Sequence, residues 1–272
     1  MKKTALNIMS ACLSLVALMA LSSTAVASMI TVEYLFGDGP GRDSYGGMSM
    51  NTDNVNNGEW SLEENYAEFV ASGNVSAWGL LDLSDLGRTA GTDFSVTLTG
   101  SYETIGQNQG FRGGVGALTN DANPDSSVGY YGAIIRPQEQ PDTDNPRLVT
   151  LSDTSVLGQN AANTIALEVP DTTHNSSAFT ITLAGTYNVD GHLSLSTEID
   201  YAAGLFSLST DSPITDPHTG VYFGPAARLQ SDTTFRIEQM DITFVPEPAT
   251  GGLLMAGMAG LLILVRRRRL RG

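Results

Sequence analysis

From residue 29 to residue 244, apolar and polar positions alternate in short runs, and clusters of Gly, Asn, Asp and Pro separate the runs. A period of two is the mark of strands with one buried face. Ile30, Val32, Tyr34 and Phe36 define a first strand, and a loop rich in Gly, Asp and Asn is expected over 37–58. Extended pieces follow at 66–71 and 76–83, while 62–70 also admits a turn or two of helix. Phe94, Val96 and Leu98 alternate with Ser95, Thr97 and Thr99 in a strong half-buried strand. Residues 110–118 and 127–136 form a pair, and their many glycines permit bulges or close backbone approach. Short strands at 147–151 and 163–169 follow a Pro/Asp loop.

The clearest hairpin comes next. Phe179, Ile181, Leu183 and Tyr187 share one face of the outgoing arm, and Leu193, Leu195, Thr197 and Ile199 line the return. Asp190-Gly191 between them predicts a tight turn, because such turns need positive φ. The last strands are expected at 220–224, 226–230 and 234–244. In the final one, Phe235 and Ile237 have one parity and Met240, Ile242 and Phe244 the other. One buried face can hold all five only if a bulge lies near Glu238-Gln239. Roughly a dozen strands curl or split into two layers, so the pattern predicts an all-β antiparallel sandwich or jelly roll.

Both ends lie outside this pattern. Lys2 and Lys3 precede an apolar run, and Ala25-Val26-Ala27 offers a small-residue cleavage site before Ser28. This predicts a signal peptide over 1–27, with Ala25, Ala27 and Ser28 at the cut. At the other end, Pro246-Glu247-Pro248 leads into an apolar, glycine-rich run at 249–265 and then Arg266-Arg267-Arg268-Arg269. As a helix that run is about 25 Å long, slightly under the hydrocarbon core of a bilayer, so it predicts a marginal C-terminal transmembrane helix. The arginines act as a stop-transfer block and place the C-terminus in the cytoplasm. The chain thus divides into 1–27, an ectodomain at 28–244 and a tail at 245–272.

Cysteine and charge narrow the chemistry. Cys12 lies within the signal segment, so the exported part has neither disulfide nor thiolate. Residues 28–248 have no lysine and set seven arginines against all 29 acidic residues, a net charge of −22. Such a surface repels nucleic acid and favours divalent cations. Calcium is the candidate metal, with Asp38, Asp43, Asp53, Asp142 and Asp144 as candidate ligands. Trp60, Trp78, Tyr130 and Tyr131 are candidate glycan contacts, weighed against the alternative that such aromatics fill the core. No catalytic constellation is evident. His174, His192 and His218 are scattered, and Glu198-Ile199-Asp200 lacks a third carboxylate at the spacing a paired-carboxylate hydrolase needs. No enzymatic activity is expected.

Two resemblances add to this reading. The order Pro246-Glu247-Pro248, apolar run, arginine cluster resembles the PEP-CTERM sorting signal. That resemblance implies a bacterial protein exported through the Sec translocon, trimmed by signal peptidase and held briefly in the inner membrane. An exosortase, a membrane transpeptidase, would then deliver it to the cell surface or extracellular matrix. Asp93-Phe94-Ser95-Val96-Thr97-Leu98, Arg112-Gly113-Gly114-Val115-Gly116-Ala117, 127–135 and the closing 219–224 and 234–244 stretches resemble the concanavalin-A-like lectin/glucanase jelly rolls (laminin-G-like domains). Gln239-Met240-Asp241 departs from the Asp-Asn-Phe-like closing strand of that family. The resemblance implies a body that binds exopolysaccharide. Its alternatives are a glycoside hydrolase or lyase on the same fold, and a purely structural coat protein.

Overall fold

The computed structural model describes residues 29–105, 110–120, 130–136, 148–154, 163–168 and 175–245. The signal segment with its cut site, the Pro246-Glu247-Pro248 motif, the 249–265 run, Arg266 to Arg269, Asp142 and Asp144 lie outside the described residues. Within them, no helix is long and apolar enough to cross a membrane.

The alternating runs are strands. They are β1 (Ile30–Leu35), β2 (Ser49–Thr52), β3 (Gly58–Leu62), β4 (Ala67–Ala71) and β5 (Val75–Asp82), then β6 (Phe94–Thr104), β7 (Phe111–Thr119), β8 (Tyr130–Arg136), β9 (Leu148–Thr154) and β10 (Asn163–Glu168). The remainder are β11 (Ser176–Tyr187), β12 (Leu193–Tyr201), β13 (Gly204–Ser209), β14 (Tyr222–Leu229) and β15 (Thr233–Phe244). One turn of 3-10 helix, Ser84–Leu86, is the sole helical element among the described residues.

The strands form two antiparallel sheets. One runs β13-β12-β11-β6-β15-β4-β3, with β1 also on β15; the other runs β10-β9-β8-β7-β14-β5-β2. Their inner faces share one core, including Val96, Leu98, Phe179, Ile181, Phe235 and Ile242 from the first sheet and Phe111, Val115, Tyr131, Ile135, Phe223 and Leu229 from the second. Met29–Val245 is thus a compact unit with its own core.

The bulge expected in the last strand is present. The pairing of β15 with β6 shifts between Ile237 and Gln239, and Phe235, Ile237, Met240, Ile242 and Phe244 are all buried. On its other edge β15 pairs with β4 up to Ile237 and with β1 from Gln239 onward. The unpaired Glu238 marks the change of partner, and its carbonyl accepts the Phe36 amide at 2.9 Å.

Four local expectations need correction. The 37–58 loop contains β2, a short edge strand whose polar Ser49 and Asn51 face out. The 62–70 stretch is not helical: Leu62 ends β3 and 67–71 is β4, because pairing with β15 buries Ala67 and Phe69. The two pieces at 220–224 and 226–230 are one strand, β14, with an irregular register between Tyr222 and Gly224. The turn at Asp190-Gly191 is longer than a two-residue loop. Asn188 and His192 still bond through their backbones, the Gly191 amide donates to the Asn188 carbonyl, and Gly191 alone takes positive φ (+78°). That is a three-residue connection with glycine in the left-handed position. The Asn188 side chain holds it by accepting the Asp190 and His192 amides.

Candidate functional site

Each sheet turns one face away from the core, and the two faces differ in chemistry. The outer face of the first sheet is a field of hydroxyls. Thr97 and Thr182 bond across β6 and β11 at 2.9 Å, and Thr31 and Thr243 bond across β1 and β15 at 3.0 Å. A shallow groove of about 460 Å³ lies over β11, β12 and β13, lined by Thr182, Ala184, Ser196, Glu198, Ser207 and Ser209 among others. Glu198 and Asp200 both occupy exposed positions of β12. Such a lining offers hydroxyl donors and acceptors, with the Glu198 carboxylate among them.

The outer face of the second sheet is different. Its central strands β5, β7 and β14 are buried on both sides for most of their length. Trp78, Leu80 and Ala226 make a second small apolar cluster there, with Tyr222 packed on it. Beside the cluster lies a row of arginines. Arg228 pairs with Arg112 in the β14–β7 register, and Gly113 opposite Ile135 in the β7–β8 register brings Arg136 next to Arg112. Alternation aims all three outward, since Ala227, Leu229, Phe111 and Ile135 point into the core. All three are half-buried. Burial, then the neighbouring charges of Arg136 and Arg228, push the Arg112 guanidinium down to about 10. Burial also lowers Arg136. No sequence pattern singles these residues out, because they converge only through cross-strand register.

A further arginine serves the fold itself. Arg88 is fully buried, donates to the carbonyls of Gly220 (3.2 Å) and Thr92 (3.4 Å), and lies over the rings of Phe223 and Phe94. Burial pushes it down to about 10, opposed by Tyr187. The nearby Tyr187 hydroxyl favours the charged guanidinium.

Of the candidate aromatics, Trp60, Trp78 and Tyr131 lie in three different surroundings. Trp60 on β3 packs edge-on to Phe69 (5.3 Å) and Phe235 (6.1 Å). Its indole N–H donates to the Asn51 carbonyl at 3.1 Å, which ties the two sheets at their margin. Tyr131 is fully enclosed in the core, its hydroxyl accepting the His218 amide at 3.3 Å. Tyr130 opens β8. Trp78 belongs to the outer cluster beside the arginine row.

Of the candidate calcium ligands, Asp38 and Asp43 flank the Gly37–Ser44 bridge. Asp43 accepts the Leu35 amide and Asp53 the Ser76 amide, each at 2.8 Å, while Asp38 is exposed. These two carboxylates brace strand margins. Among the described residues no group of three or more His, Asp or Glu side chains could hold a metal ion.

With the two-sheet architecture in place, comparison with solved structures gives a clear match. The lectin of Bauhinia forficata, solved in complex with GalNAc, superposes with a TM-score of 0.50 at 11% identity, covering 81% of this chain and 100% of the lectin. The fold is that of the legume lectins. The legume lectin-like domain of Entamoeba histolytica (TM-score 0.49, 14% identity) covers 78% of this chain and 95% of its own. A protein of unknown function from Shewanella oneidensis MR-1 (0.49, 14%) covers 84% and 92%. No protein-family model and no curated protein matches the chain. A shared fold does not by itself fix what the body binds.

Proposed function

We propose that the chain is an exported bacterial surface or matrix protein whose sandwich body binds polysaccharide without transforming it. The observation that carries the binding reading is the legume-lectin fold of the body, together with outer faces rich in hydrogen-bonding groups. The tail supplies delivery. Pro246, Glu247 and Pro248, the apolar run and the arginine block form an exosortase signal, which holds the chain at the inner membrane until the body passes to the cell surface. These tail residues are substrate for another enzyme.

A glycan array probed with the purified 29–245 unit, with and without Ca²⁺, tests the binding reading. Retention of at least one polysaccharide class is expected. A body that retains none would be a structural coat subunit, and one that shortens its glycan would be a hydrolase or lyase. Delivery is tested by fractionating cells with and without the exosortase. The tail is expected on the chain when the enzyme is absent and missing when it is present; a tail retained in both removes the sorting reading.

A further inference from the structure

The outer face of the first sheet is more ordered than a solvated strand surface requires. Register sets one side chain from each of six neighbouring strands in a line: Thr31, Thr243, Ser95, Ala184, Ser196 and Ser209. All six are short and none is charged, in a chain that holds 29 acidic residues. Two residues along each strand, a second line carries Asp241, Thr97, Thr182 and Glu198. Neighbouring strands lie about 4.8 Å apart, so the first line runs about 24 Å across the sheet. Strand propensity accounts for the threonines on such a face. It does not account for the still smaller side chains of Ala184, Ser196, Ser207 and Ser209, which open the groove over β11, β12 and β13.

The chemistry of the groove narrows what can fill it. Its hydroxyls donate and accept, whereas the Glu198 carboxylate only accepts, so the ligand must bring donors of its own. An anionic polymer is repelled by Glu198 and by a net charge of −22 over 28–248. A polycation wants a carboxylate for each of its charges, and the groove lining includes one. An apolar partner finds only Leu208 as a large apolar lining residue, and that side chain is half-buried against the core. A second copy stacked on this face would set Glu198, Asp200 and Asp241 among like charges. We infer that the groove over β11, β12 and β13 binds a neutral polysaccharide. The two oxygens of Glu198 accept neighbouring ring hydroxyls, bonds strengthened by the carboxylate charge. Thr182, Ser196, Ser207 and Ser209 pair with other hydroxyls, and Ala184 leaves room for the ring itself. The line continues through Ser95 and Thr243, so a longer chain extends across the sheet. This rests on the polysaccharide-binding reading and specifies its site and ligand class.

The test titrates the 29–245 unit by calorimetry with three neutral glucans of different linkage: dextran, laminarin and hydroxyethyl cellulose. Polygalacturonate serves as the acidic polymer and chitosan as the cationic one. At least one neutral glucan is expected to bind, equally well between about 10 and 500 mM NaCl, because no charge on the ligand is screened. Glu198→Gln is expected to weaken it about tenfold. Ala184→Trp, which fills the groove from a half-exposed position, should abolish it with the melting temperature unchanged. Should that variant melt early, Ser207→Gln, at an exposed position of β13, takes its place. Glu59→Gln makes the same change as Glu198→Gln at an exposed position of β3, the opposite edge strand of the sheet, and should leave binding as it was. Undiminished binding by both Glu198→Gln and the filling variant overturns the site and leaves the polysaccharide reading standing. Retention of polygalacturonate or chitosan with no neutral glucan overturns the ligand class. Retention of no polymer removes the polysaccharide reading, and this site with it. A dimer in sedimentation that the filling variant dissociates overturns the glycan and assigns the face to a second copy.

Discussion

At the level of single residues, backbone space decides what can change. Gly191 stands at φ +78° with nothing within 4 Å of a Cβ, so an alanine there meets only the conformational cost of the left-handed region. Gly100 lies opposite Ile237, beside the β15 bulge, and a Cβ there would collide with the Arg236 carbonyl oxygen and touch the Phe179 ring at 3.1 Å. Gly191→Ala is expected to cost about 1 kcal/mol and Gly100→Ala about 3 kcal/mol, read from urea midpoints at constant slope. Equal costs would show that β6 and β15 can shift apart beside the bulge. Gly191 was legible in the sequence because Asp-Gly between alternating arms is a local signal. The need at Gly100 was not, since the carbonyl it must avoid is 136 positions away in the chain.

Among the elements, the bulge in β15 is the most consequential. Without Glu238, the parity of Met240, Ile242 and Phe244 would flip, and three side chains now at most 1% exposed would turn to the outer face. Deleting Glu238 is expected to abolish the near-ultraviolet circular dichroism of the folded unit, whereas Glu238→Ala, at an exposed position, should stay within about 0.5 kcal/mol. A deletion variant with native-like dichroism would mean that β15 re-registers without loss. The bulge could be read from sequence because five large apolar residues demanded one face. Strand β13 escaped notice because its alternation is short and its Leu205 is exposed, as suits an edge strand. The arginine row was invisible for a different reason: residues 112, 136 and 228 meet through two registers that no local pattern encodes.

For the molecule as a whole, charge and connectivity matter most. Composition alone excluded an intrachain disulfide, since the chain has one cysteine, and established a net charge of −22 over 28–248. Self-repulsion of that size is screened by salt, so the melting temperature of the 29–245 unit is expected to rise by a few degrees between about 10 and 150 mM NaCl, measured by calorimetry. A flat response would mean that the negative charges are already compensated within the fold. The sandwich itself was readable from periodicity; the assignment of strands to sheets depended on long-range pairing. That pairing has a mechanical side. The tail leaves from Val245, directly after β15, which is hydrogen-bonded to β6 on one edge and to β4 and then β1 on the other. A pull transmitted through the tail therefore loads an interior strand along its axis and must shear two ladders at once. Had the tail followed an edge strand, the same pull could have unzipped one bond at a time. A load applied to the body at Val245 is therefore shared by both ladders together.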